Sequence, residues 1–382
     1  MSIFYATDQV PVHSVLLLET RQEALQYSKG NIRLGFCDRC GFISNITFDA
    51  SVHEYSSRYE ATQGYSATFN AFHHRLATGL IDRYDLHGKT IVEIGCGQGE
   101  FLTLLCELGG NRGIGFDPAY VRDRSSVKLV EDVTFIADFY SEKYAAYAGD
   151  LICCKMTLEH IHQTADFVRT VRRAAGDKPE RIIFFQVPNA RYVFGEIAFW
   201  DVYYEHCSYF SLGSLARLFR RSGFNILNLW TDYEDQYLML EAQPGNGQNP
   251  PLPQEDDLGE LRREVGHFQA QYPIKVAEWR RQFDDYKQNG RKTVLWGGGS
   301  KGVAFLTALD ISLDEIEYVV DINPHKAGTF MAGTGQEIVM PAFLRDYRPD
   351  VVIVMNPVYC QDVQRSLNEM GLSPELRTVL SV

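Results

Sequence analysis

The stretch Thr90-Ile91-Val92-Glu93-Ile94-Gly95-Cys96-Gly97-Gln98-Gly99 decides the fold of this chain. Its first five residues predict a buried strand, its three glycines predict a tight turn, and the apolar residues of 101–108 predict a helix. In a parallel sheet covered by helices, such a turn lies at the carboxyl end of a strand, where backbone N–H groups meet a ligand. The sequence therefore predicts an α/β fold that binds a ligand at this turn.

Acidic residues at the ends of neighbouring predicted strands indicate the type of ligand. Glu93 precedes the turn, Asp117 ends the next strand, and Asp138 ends a third. A carboxylate at Asp117 can accept hydrogen bonds from both hydroxyls of a ribose, and one at Asp138 can accept from an adenine amino group. We therefore predict an adenosine-type cofactor at this edge of the sheet.

The glycine turn itself distinguishes between two cofactors of that type. Glu100 and Phe101 follow Gly99, so the third glycine of the dinucleotide pattern Gly-x-Gly-x-x-Gly is missing. A ligand without a pyrophosphate fits this turn better, which favours S-adenosylmethionine over a dinucleotide. The predicted cofactor-binding residues are Glu93, Gly95, Gly97, Gly99, Asp117 and Asp138.

Length and loop composition divide the chain into three parts. The 382 residues exceed one ordinary domain, and a loop rich in proline and glycine lies at 243–253. Apolar strand-like runs alternate with helical patterns before this loop, and three or four such strands are predicted after it. We predict a small N-terminal domain at 1–60, a doubly wound Rossmann-like domain at 61–245 and a second Rossmann-like unit at 246–382.

Composition and charge exclude several classes of protein. The formal net charge of -12 argues against a general nucleic-acid binder, which needs Lys and Arg to neutralise phosphates. No apolar run reaches the roughly 18 residues of a membrane span, the N-terminus has no secretory-signal pattern, and the eight cysteines indicate reduced thiols. We expect a cytoplasmic monomer or small homo-oligomer that acts on a small molecule, without membrane or nucleic-acid partners.

A second glycine loop, Gly297-Gly298-Gly299-Ser300-Lys301-Gly302, follows the first strand of the C-terminal unit. With Asp321 about where a ribose-binding acid belongs, it matches the dinucleotide fingerprint. Three interpretations stay open: NAD, an anionic part of the substrate such as a diphosphate bound by Gly299 and Lys301, or a scaffold without a ligand. The small number of predicted strands argues against NAD.

Several motifs together resemble one known family. They are the stretch 92–99, which resembles motif I of class I methyltransferases, together with 158–161, 203–210, 296–302 and 321–326. Over nearly the whole chain they resemble the three-domain C-methyltransferases that include the dTDP-3-amino and dTDP-4-keto sugar 3-C-methyltransferases. The resemblance implies a class I methyltransferase fold, S-adenosylmethionine as cofactor, and C-methylation of a keto substrate such as a nucleotide-activated deoxy sugar.

The resemblance also implies roles for residues after the fourth and fifth strands. Methyl transfer to carbon requires removal of a proton beside a carbonyl, and a neutral histidine suits this task near pH 7. His206 would be the base, Glu205 would orient it, and Tyr203 would donate to the developing oxyanion. His160 would lie between cofactor and substrate. The alternative is that 203–206 is a polar turn before a helix and His160 a packed histidine.

The same resemblance implies roles for further residues. Tyr59 and Tyr65 would close over the cofactor, and the alternative is that both pack the N-terminal domain onto the core. Asn323 and Lys326 would bind substrate together with the second glycine loop. Two other functions stay open: an O- or N-methyltransferase acting on a small natural-product intermediate, and an NAD-binding redox protein. The adjacent pair at 73–74, both histidines, is expected on the surface.

The N-terminal domain departs from the family pattern. The family holds zinc there with two Cys-x-x-Cys pairs, whereas this chain has only Cys37 and Cys40, and no cysteine precedes them. Structural zinc needs four ligands. Either His13 and His53 complete a zinc site with the two thiols, or the domain has lost its metal and kept its fold.

Overall fold

The computed structural model describes residues 1–52, 56–124, 128, 131–147 and 149–381. The strands of these residues form three sheets, of four, seven and five strands. Helices cover the two larger sheets, and the smallest sheet carries the N-terminus. The mixed α/β class that the sequence predicts is confirmed.

The N-terminal part is an antiparallel sheet with one short helix. Its elements are β1 (Ser2–Pro11), α1 (Arg21–Leu25), β2 (Lys29–Phe36) and β3 (Ile43–Asn45). Leu34 and Ile43 have no exposed surface, because their side chains point to the inner face of the sheet. The fourth strand, Ser208–Tyr209, comes from the central part and pairs with β3, so the N-terminal sheet is built onto the central part.

The central part contains the seven-stranded sheet. Its elements are α2 (Ala67–Tyr84), β4 (Thr90–Ile94), α3 (Glu100–Gly109), β5 (Arg112–Phe116), β6 (Val133–Ile136), β7 (Leu151–Lys155), α4 (Thr164–Ala175), β8 (Ile182–Pro188), α5 (Ala190–Gly195), β9 (Ser208–Tyr209), α6 (Leu212–Arg221), β10 (Phe224–Asp232) and β11 (Tyr237–Pro244). The strand order is β10-β11-β8-β7-β4-β5-β6. β11 runs antiparallel to both neighbours, and β4 to β8 run parallel. This is the doubly wound, Rossmann-like sheet that the sequence predicts.

Two helical layers bury the middle of this sheet. All five residues of β7 are buried, as expected for a strand covered on both faces. Leu80 of α2 and Leu102 of α3 belong to the apolar cluster on one face, and Val168 of α4 and Phe219 of α6 to the cluster on the other. Because β4, β5 and β7 are parallel, their carboxyl ends share one edge, and the glycine turn lies at that edge.

The C-terminal part begins with one long helix and contains the five-stranded parallel sheet. Its elements are α7 (Leu258–Gln288), β12 (Thr293–Trp296), α8 (Ser300–Ala308), β13 (Tyr318–Val320), β14 (Glu337–Val339), α9 (Leu344–Tyr347), β15 (Val351–Val354), α10 (Cys360–Glu369) and β16 (Glu375–Thr378). The strand order is β14-β13-β12-β15-β16. The prediction of three or four strands was too low, because the edge strands β14 and β16 have only three and four residues.

The helix α7 joins the three parts. Its 31 residues continue through Pro273, and Leu261 and Phe268 are buried where it packs on β1 and α5. The ring of Phe194 in α5 lies 5.2 Å from that of Phe4 in β1 and 5.1 Å from that of Phe268. Even this helix, like every other described helix, lacks the length of apolar sequence needed to cross a membrane. One apolar cluster therefore links the N-terminal sheet, the central part and the C-terminal part.

Candidate active site

The glycine turn after β4 is closed on two sides and open on one. Gly95, Gly97 and Gly99 have φ values of +70°, +55° and +88°, which favour glycine. A Cβ at Gly95 would lie 1.9 Å from Thr157 Oγ1, and one at Gly99 would lie 2.3 Å from the ring of Phe135. A Cβ at Gly97 would meet no atom within 4 Å. The turn is therefore packed against the protein at its ends, and its middle faces space that a ligand can enter.

Asp117 is fixed beside this open face. It follows β5, and its carboxylate accepts hydrogen bonds from the backbone N–H groups of Gly97 at 2.9 Å and Ala119 at 2.8 Å. Burial raises the pKa of Asp117 to about 6, although both hydrogen bonds oppose this shift. Each carboxylate oxygen can accept a second hydrogen bond, so Asp117 has the capacity to bind two ribose hydroxyls.

Glu93 lies deeper, at the end of β4, in a cluster of buried ionisable groups. Within the described residues its Oε2 has no hydrogen-bond partner, and burial raises its pKa to about 8. Lys155, at the end of β7, donates a hydrogen bond to His73 Nε2 at 2.9 Å and lies 3.6 Å above the ring of Phe101. The expectation that both histidines of the 73–74 pair lie on the surface is wrong, since His73 is 9% exposed.

Asp138, the third predicted carboxylate, lies at the surface of the same edge. Its carboxylate forms an ion pair with Lys143 and accepts a hydrogen bond from the Tyr144 hydroxyl at 2.6 Å. These two hydrogen bonds lower the pKa of Asp138 to about 2. Asp138 is therefore ionised at neutral pH and already has two donors.

A cavity of about 600 Å³ separates the central and C-terminal parts at this end of the molecule. The sequence-predicted residues that line it are Tyr59, Tyr65, His160, Tyr203, His206, Gly299, Lys301, Asn323 and Lys326. The glycine turn, Glu93, Asp117, Asp138 and Glu205 are not among the lining residues. The predicted site residues therefore form two groups, one around the glycine turn and one around the cavity.

His206 lies in the wall of this cavity among other polar side chains. Its ring is 4.1 Å from the ring of Tyr203 and 4.9 Å from that of His160, measured between centroids. Burial, the neighbouring His160 and Lys301 hold the pKa of His206 well below its usual value. His206 is thus neutral at neutral pH. Burial also raises the pKa of Tyr203 well above its usual value, so the Tyr203 hydroxyl keeps its proton.

The carboxylate next to His206 is Glu159 rather than Glu205. Glu159 Oε1 lies 4.0 Å from His206 Nε2, and both residues line the cavity. Glu205 is turned toward the segment after β1, where it contacts His13 Nδ1 at 3.3 Å and accepts a hydrogen bond from Ser14. The structure therefore does not bring Glu205 to His206. Sequence reasoning did not select Glu159, although it directly precedes His160 in one of the quoted motifs.

Glu159, His160 and His206 also have the composition of a metal site. Their potential ligand atoms lie within 4.8 Å of one another, and within the described residues this is the only such group of three. The same three groups are equally suited to acid–base chemistry. The buried carboxyl of Glu159 and the neutral ring of His206 can exchange protons with a bound molecule.

The Cys37–Cys40 pair lies away from the cavity, in the turn between β2 and β3. In the part of the chain that the structure describes, no third histidine, cysteine or carboxylate completes a group with these two thiols. His13 is instead in contact with Glu205, and His53 lies outside the described residues. The described residues thus provide two of the four ligands that structural zinc needs.

Two lysines of the C-terminal part have carboxylate partners. Lys301 Nζ lies 2.6 and 2.5 Å from the two oxygens of Asp201 in the central part. Lys326 Nζ lies 3.3 Å from Asp321, whose Oδ2 also accepts the backbone N–H of Gly298 at 3.0 Å. Both lysines line the cavity with their charges compensated. The Asp321 carboxylate is already hydrogen-bonded within the second glycine loop. A bound dinucleotide would instead need this carboxylate to accept hydrogen bonds from a ribose.

Side chains of the N-terminal region complete the cavity. Asn323 donates a hydrogen bond from Nδ2 to Glu60 Oε1 at 3.1 Å, which links the C-terminal part to the segment of the two predicted tyrosines. Tyr59 forms a β-bridge with Leu16, and the ring of Tyr65 lies 6.1 Å from that of His325. Both tyrosines therefore stand between the N-terminal region and the cavity.

Comparisons with protein-family models match two parts of the chain. Residues 66–229 match a methyltransferase domain, and residues 254–373 match a C-methyltransferase C-terminal domain. Among curated proteins, the chain is similar to the C-methyltransferase NovU of Streptomyces niveus. That similarity is 24% identity over 291 residues and covers 72% of this chain and 68% of the relative.

Solved structures are similar to a portion of this chain. One is the magnesium protoporphyrin IX methyltransferase of Synechocystis PCC 6803 with bound SAH, at 14% identity and a TM-score of 0.38, covering 49% of this chain and 89% of that chain. Another is the N,N-8-amino-8-demethyl-D-riboflavin dimethyltransferase of Streptomyces davawensis, at 18% identity and a TM-score of 0.37, covering 46% of this chain and 56% of that chain. Each likeness extends over about half of this chain.

Proposed function

We propose that the chain is an S-adenosylmethionine-dependent C-methyltransferase that methylates an acidic carbon beside a carbonyl group, and its similarity to methyltransferase and C-methyltransferase domains supports this. The proposed substrate class is a nucleotide-activated keto deoxy sugar. The observation that carries the proposal is the neutral, buried His206 in the cavity wall with the protonated Tyr203 hydroxyl beside it.

S-adenosylmethionine supplies an electrophilic methyl group when it is bound. The glycine turn fits it, because the middle of the turn faces free space at Gly97 while both ends are packed. We assign the ribose to Asp117, the adenine to Asp138 and the remaining polar contacts to Glu93. Tyr59 and Tyr65, which line the adjoining cavity, would exclude water from the bound cofactor.

His206 is the proposed base. A neutral imidazole in the cavity wall can accept the proton that leaves the carbon beside the carbonyl. As this proton leaves, charge moves to the carbonyl oxygen, and the Tyr203 hydroxyl can donate a hydrogen bond to it. His160, whose burial lowers its pKa to about 4, is a neutral neighbour that would position the substrate. Most of the rate enhancement would then come from holding donor and acceptor carbon in line.

The C-terminal part would bind the rest of the substrate through Gly299, Lys301, Asn323 and Lys326. The position of the cavity between the two Rossmann-like parts supports this assignment. Both lysines have carboxylate partners, so a diphosphate would have to compete with Asp201 or Asp321 for their charge. One experiment therefore identifies the atom that is methylated, and a separate experiment asks whether the sugar is attached to a nucleotide.

The acceptor atom is tested with a His206→Asn variant, with S-adenosylmethionine and a dTDP-4-keto deoxy sugar as substrates. We expect the wild type to give a product with a new carbon–methyl bond, identified by NMR. The variant should lose at least 100-fold in rate, because general-base catalysis contributes about 10²–10⁴-fold. His74→Asn, at an exposed position of α2, is the control. A product methylated at nitrogen or oxygen would contradict the proposal.

The nucleotide is tested by thermal unfolding of the protein saturated with S-adenosylhomocysteine. A ligand at about 100 times its Kd adds about 2.7 kcal/mol to the free energy of unfolding, which raises the midpoint visibly. We expect dTDP to raise it further and NAD to leave it unchanged. If neither dTDP nor UDP nor GDP raises it, the substrate is a free small molecule.

A further inference from the structure

The carboxyl group of Glu159 has an unusual position for a buried acid. Its side chain is 1% exposed and lines the cavity, and within the described residues neither oxygen has a hydrogen-bond partner. Most buried carboxyl groups in proteins are paired or hydrogen-bonded. An unpaired carboxyl group in the wall of a binding cavity indicates a partner that arrives with the substrate.

The groups around Glu159 are themselves neutral. His206 lies 4.0 Å away, His160 is its neighbour in the chain, and the Cys207 thiol is hydrogen-bonded to the Glu159 backbone carbonyl at 3.3 Å. Burial keeps both histidines unprotonated and raises the pKa of the Cys207 thiol to about 12. Burial also raises the pKa of Glu159 to about 8. Among the residues that the structure describes, no Lys or Arg forms an ion pair with Glu159, so this carboxyl group can hold a proton and donate it.

We propose that Glu159 is the general acid of the reaction, paired with His206 as the base. This inference rests on the proposed function. The His206 imidazole takes the proton of the carbon beside the substrate carbonyl, and the electrons of the broken C–H bond form a carbon–carbon double bond. The carbonyl π electrons move to the oxygen, which takes the proton of Glu159. The substrate is now an enol, and the enzyme holds an imidazolium and a carboxylate.

The second half of the reaction restores Glu159. When the enol carbon gains its methyl group, the enol O–H bond breaks and its proton returns to the Glu159 carboxylate. The carbonyl forms again, and the proton on His206 leaves to water. Overall, one proton is released for each methyl group transferred, which balances the loss of the C–H hydrogen and of the positive charge on the methyl donor.

Pairing the base His206 with the acid Glu159 keeps the net charge of the site unchanged during proton transfer. His206 is buried beside His160 and near Lys301, so a proton taken up by His206 alone would add positive charge to a site that disfavours it. A carboxylate that forms 4.0 Å away at the same moment keeps the net charge of the two residues at zero. Glu205 does not offer this compensation to the cavity, because His13 and Ser14 occupy its oxygens.

The test separates proton transfer from methyl transfer. A dTDP-4-keto deoxy sugar is incubated with the enzyme and S-adenosylhomocysteine in D₂O, and NMR follows exchange of the hydrogen beside the carbonyl. We expect Glu159→Gln to slow exchange and methylation about 100-fold or more, with the Kd for S-adenosylhomocysteine changed less than twofold. Glu159→Asp should restore part of both rates, and Glu317→Gln, at an exposed position, should change neither.

Different results overturn different statements. Wild-type rates of exchange and methylation in Glu159→Gln would overturn the role of Glu159 and leave the proposed function intact. Methylation at nitrogen or oxygen without exchange would overturn the proposed function itself. Loss of activity on adding EDTA, restored by Zn²⁺ or Mn²⁺, would show that Glu159, His160 and His206 hold a metal ion, and the acid role would then be abandoned.

A readout without substrate completes the test. The infrared spectrum of the wild type at pH 7 should contain the carbonyl stretches of protonated, buried carboxylic acids, because burial raises the pKa of both Glu93 and Glu159 to about 8. The difference spectrum between the wild type and Glu159→Gln should contain one such band, whereas the Glu93 contribution cancels. A spectrum in which the two proteins differ only by a carboxylate band would overturn the proposal, whatever substrate the enzyme uses.

Discussion

Lys301 Nζ lies 2.6 and 2.5 Å from the two carboxylate oxygens of Asp201, so an ion pair joins the second glycine loop to the central part. The side chains are 26% and 12% exposed, and both residues line the cavity. The residue that sequence reasoning assigned to an anionic substrate therefore has an anionic partner in the protein. The pair also fixes the distance between the two parts on either side of the cavity.

We expect this ion pair to contribute to stability and to oppose anion binding. Asp201→Asn and Lys301→Met should each lower the free energy of unfolding by about 1–3 kcal/mol, since each leaves a partly buried charge without its partner. The double variant should lose at least 1 kcal/mol less than the sum of the two. Urea unfolding gives the free energy of unfolding of the wild type, the two single variants and the double variant. Additive losses, within about 0.3 kcal/mol, would contradict a direct interaction.

The same variants test whether the second glycine loop binds a diphosphate group. If a nucleoside diphosphate binds to Lys301, Asp201→Asn releases this charge and should tighten dTDP binding, whereas Lys301→Met should weaken it. Calorimetric titration with dTDP measures both. Equal affinity in both variants would assign the second glycine loop to the scaffold.

The middle and the last glycine of the first glycine turn should respond differently to alanine. Gly97→Ala places a Cβ in open space, so we expect only the cost of a positive φ, about 1 kcal/mol of stability, together with a clear loss of S-adenosylhomocysteine affinity. Gly99→Ala drives a Cβ into the Phe135 ring, so it should destabilise the fold more. Urea unfolding and calorimetric titration measure the two effects. Unchanged affinity in Gly97→Ala would place the cofactor elsewhere.

Glu159 should also make the stability of the protein depend on pH. Folding raises its pKa from 4.5 to about 8, so the native state keeps a proton that the unfolded chain loses between these values. This group therefore lowers the free energy of unfolding as the pH rises from about 4.5 to 8. Glutamine does not titrate. The free energy of unfolding of Glu159→Gln, relative to the wild type, should rise by about 3–4 kcal/mol between pH 5 and pH 8.

Urea unfolding at pH 5, 6.5 and 8 checks this dependence. The control is Glu317→Gln, a matched substitution at an exposed position of the chain. A difference for Glu159→Gln that is constant or falls with pH would mean that the carboxyl is ionised in the native state.

Local sequence patterns were sufficient to predict the main elements but not the sheet edges. The strand, turn and helix at 90–109 are encoded by neighbouring residues, and they form as predicted. β14 and β16 escaped prediction because Glu337–Val339 and Glu375–Thr378 are too short for periodicity to show. Pairing with longer strands that are distant in sequence forms these two edges, and such pairing is not visible in a local pattern.

The same limit applies to the site. His206 and Glu205 are adjacent in sequence, which suggested that they act together, but neighbours in a turn point in different directions, and Glu205 reaches the N-terminal segment instead. The partner of His206 is Glu159, 47 positions earlier, brought near where the turn Leu158–His160 packs against Ser208–Tyr209. His73, by contrast, carried a usable signal, because it follows Phe69 by four residues on the buried face of α2.

The Cys37–Cys40 turn should keep its structure without its thiols. The Cys37 carbonyl accepts the N–H of Gly41 at 2.8 Å, and the Cys40 carbonyl accepts a hydrogen bond from Arg217 Nε at 3.0 Å, so backbone groups hold the turn. We expect the double variant Cys37→Ser, Cys40→Ser to unfold within about 1 kcal/mol of the wild type, as partly exposed sites usually do. Its affinity for S-adenosylhomocysteine should change less than twofold, because neither cysteine is among the residues that line the cavity.

Elemental analysis of the purified protein decides what the thiols do. Two thiolates alone leave half of a tetrahedral zinc site to other ligands, and such a site exchanges its metal readily. We therefore expect dialysis against EDTA to leave the unfolding midpoint of the wild type unchanged. One zinc per chain that resists EDTA, together with a loss of several kcal/mol in the double variant, would mean that further ligands complete the site. His53 would then be the first residue to replace, and His53→Ala should release the metal as the double variant does.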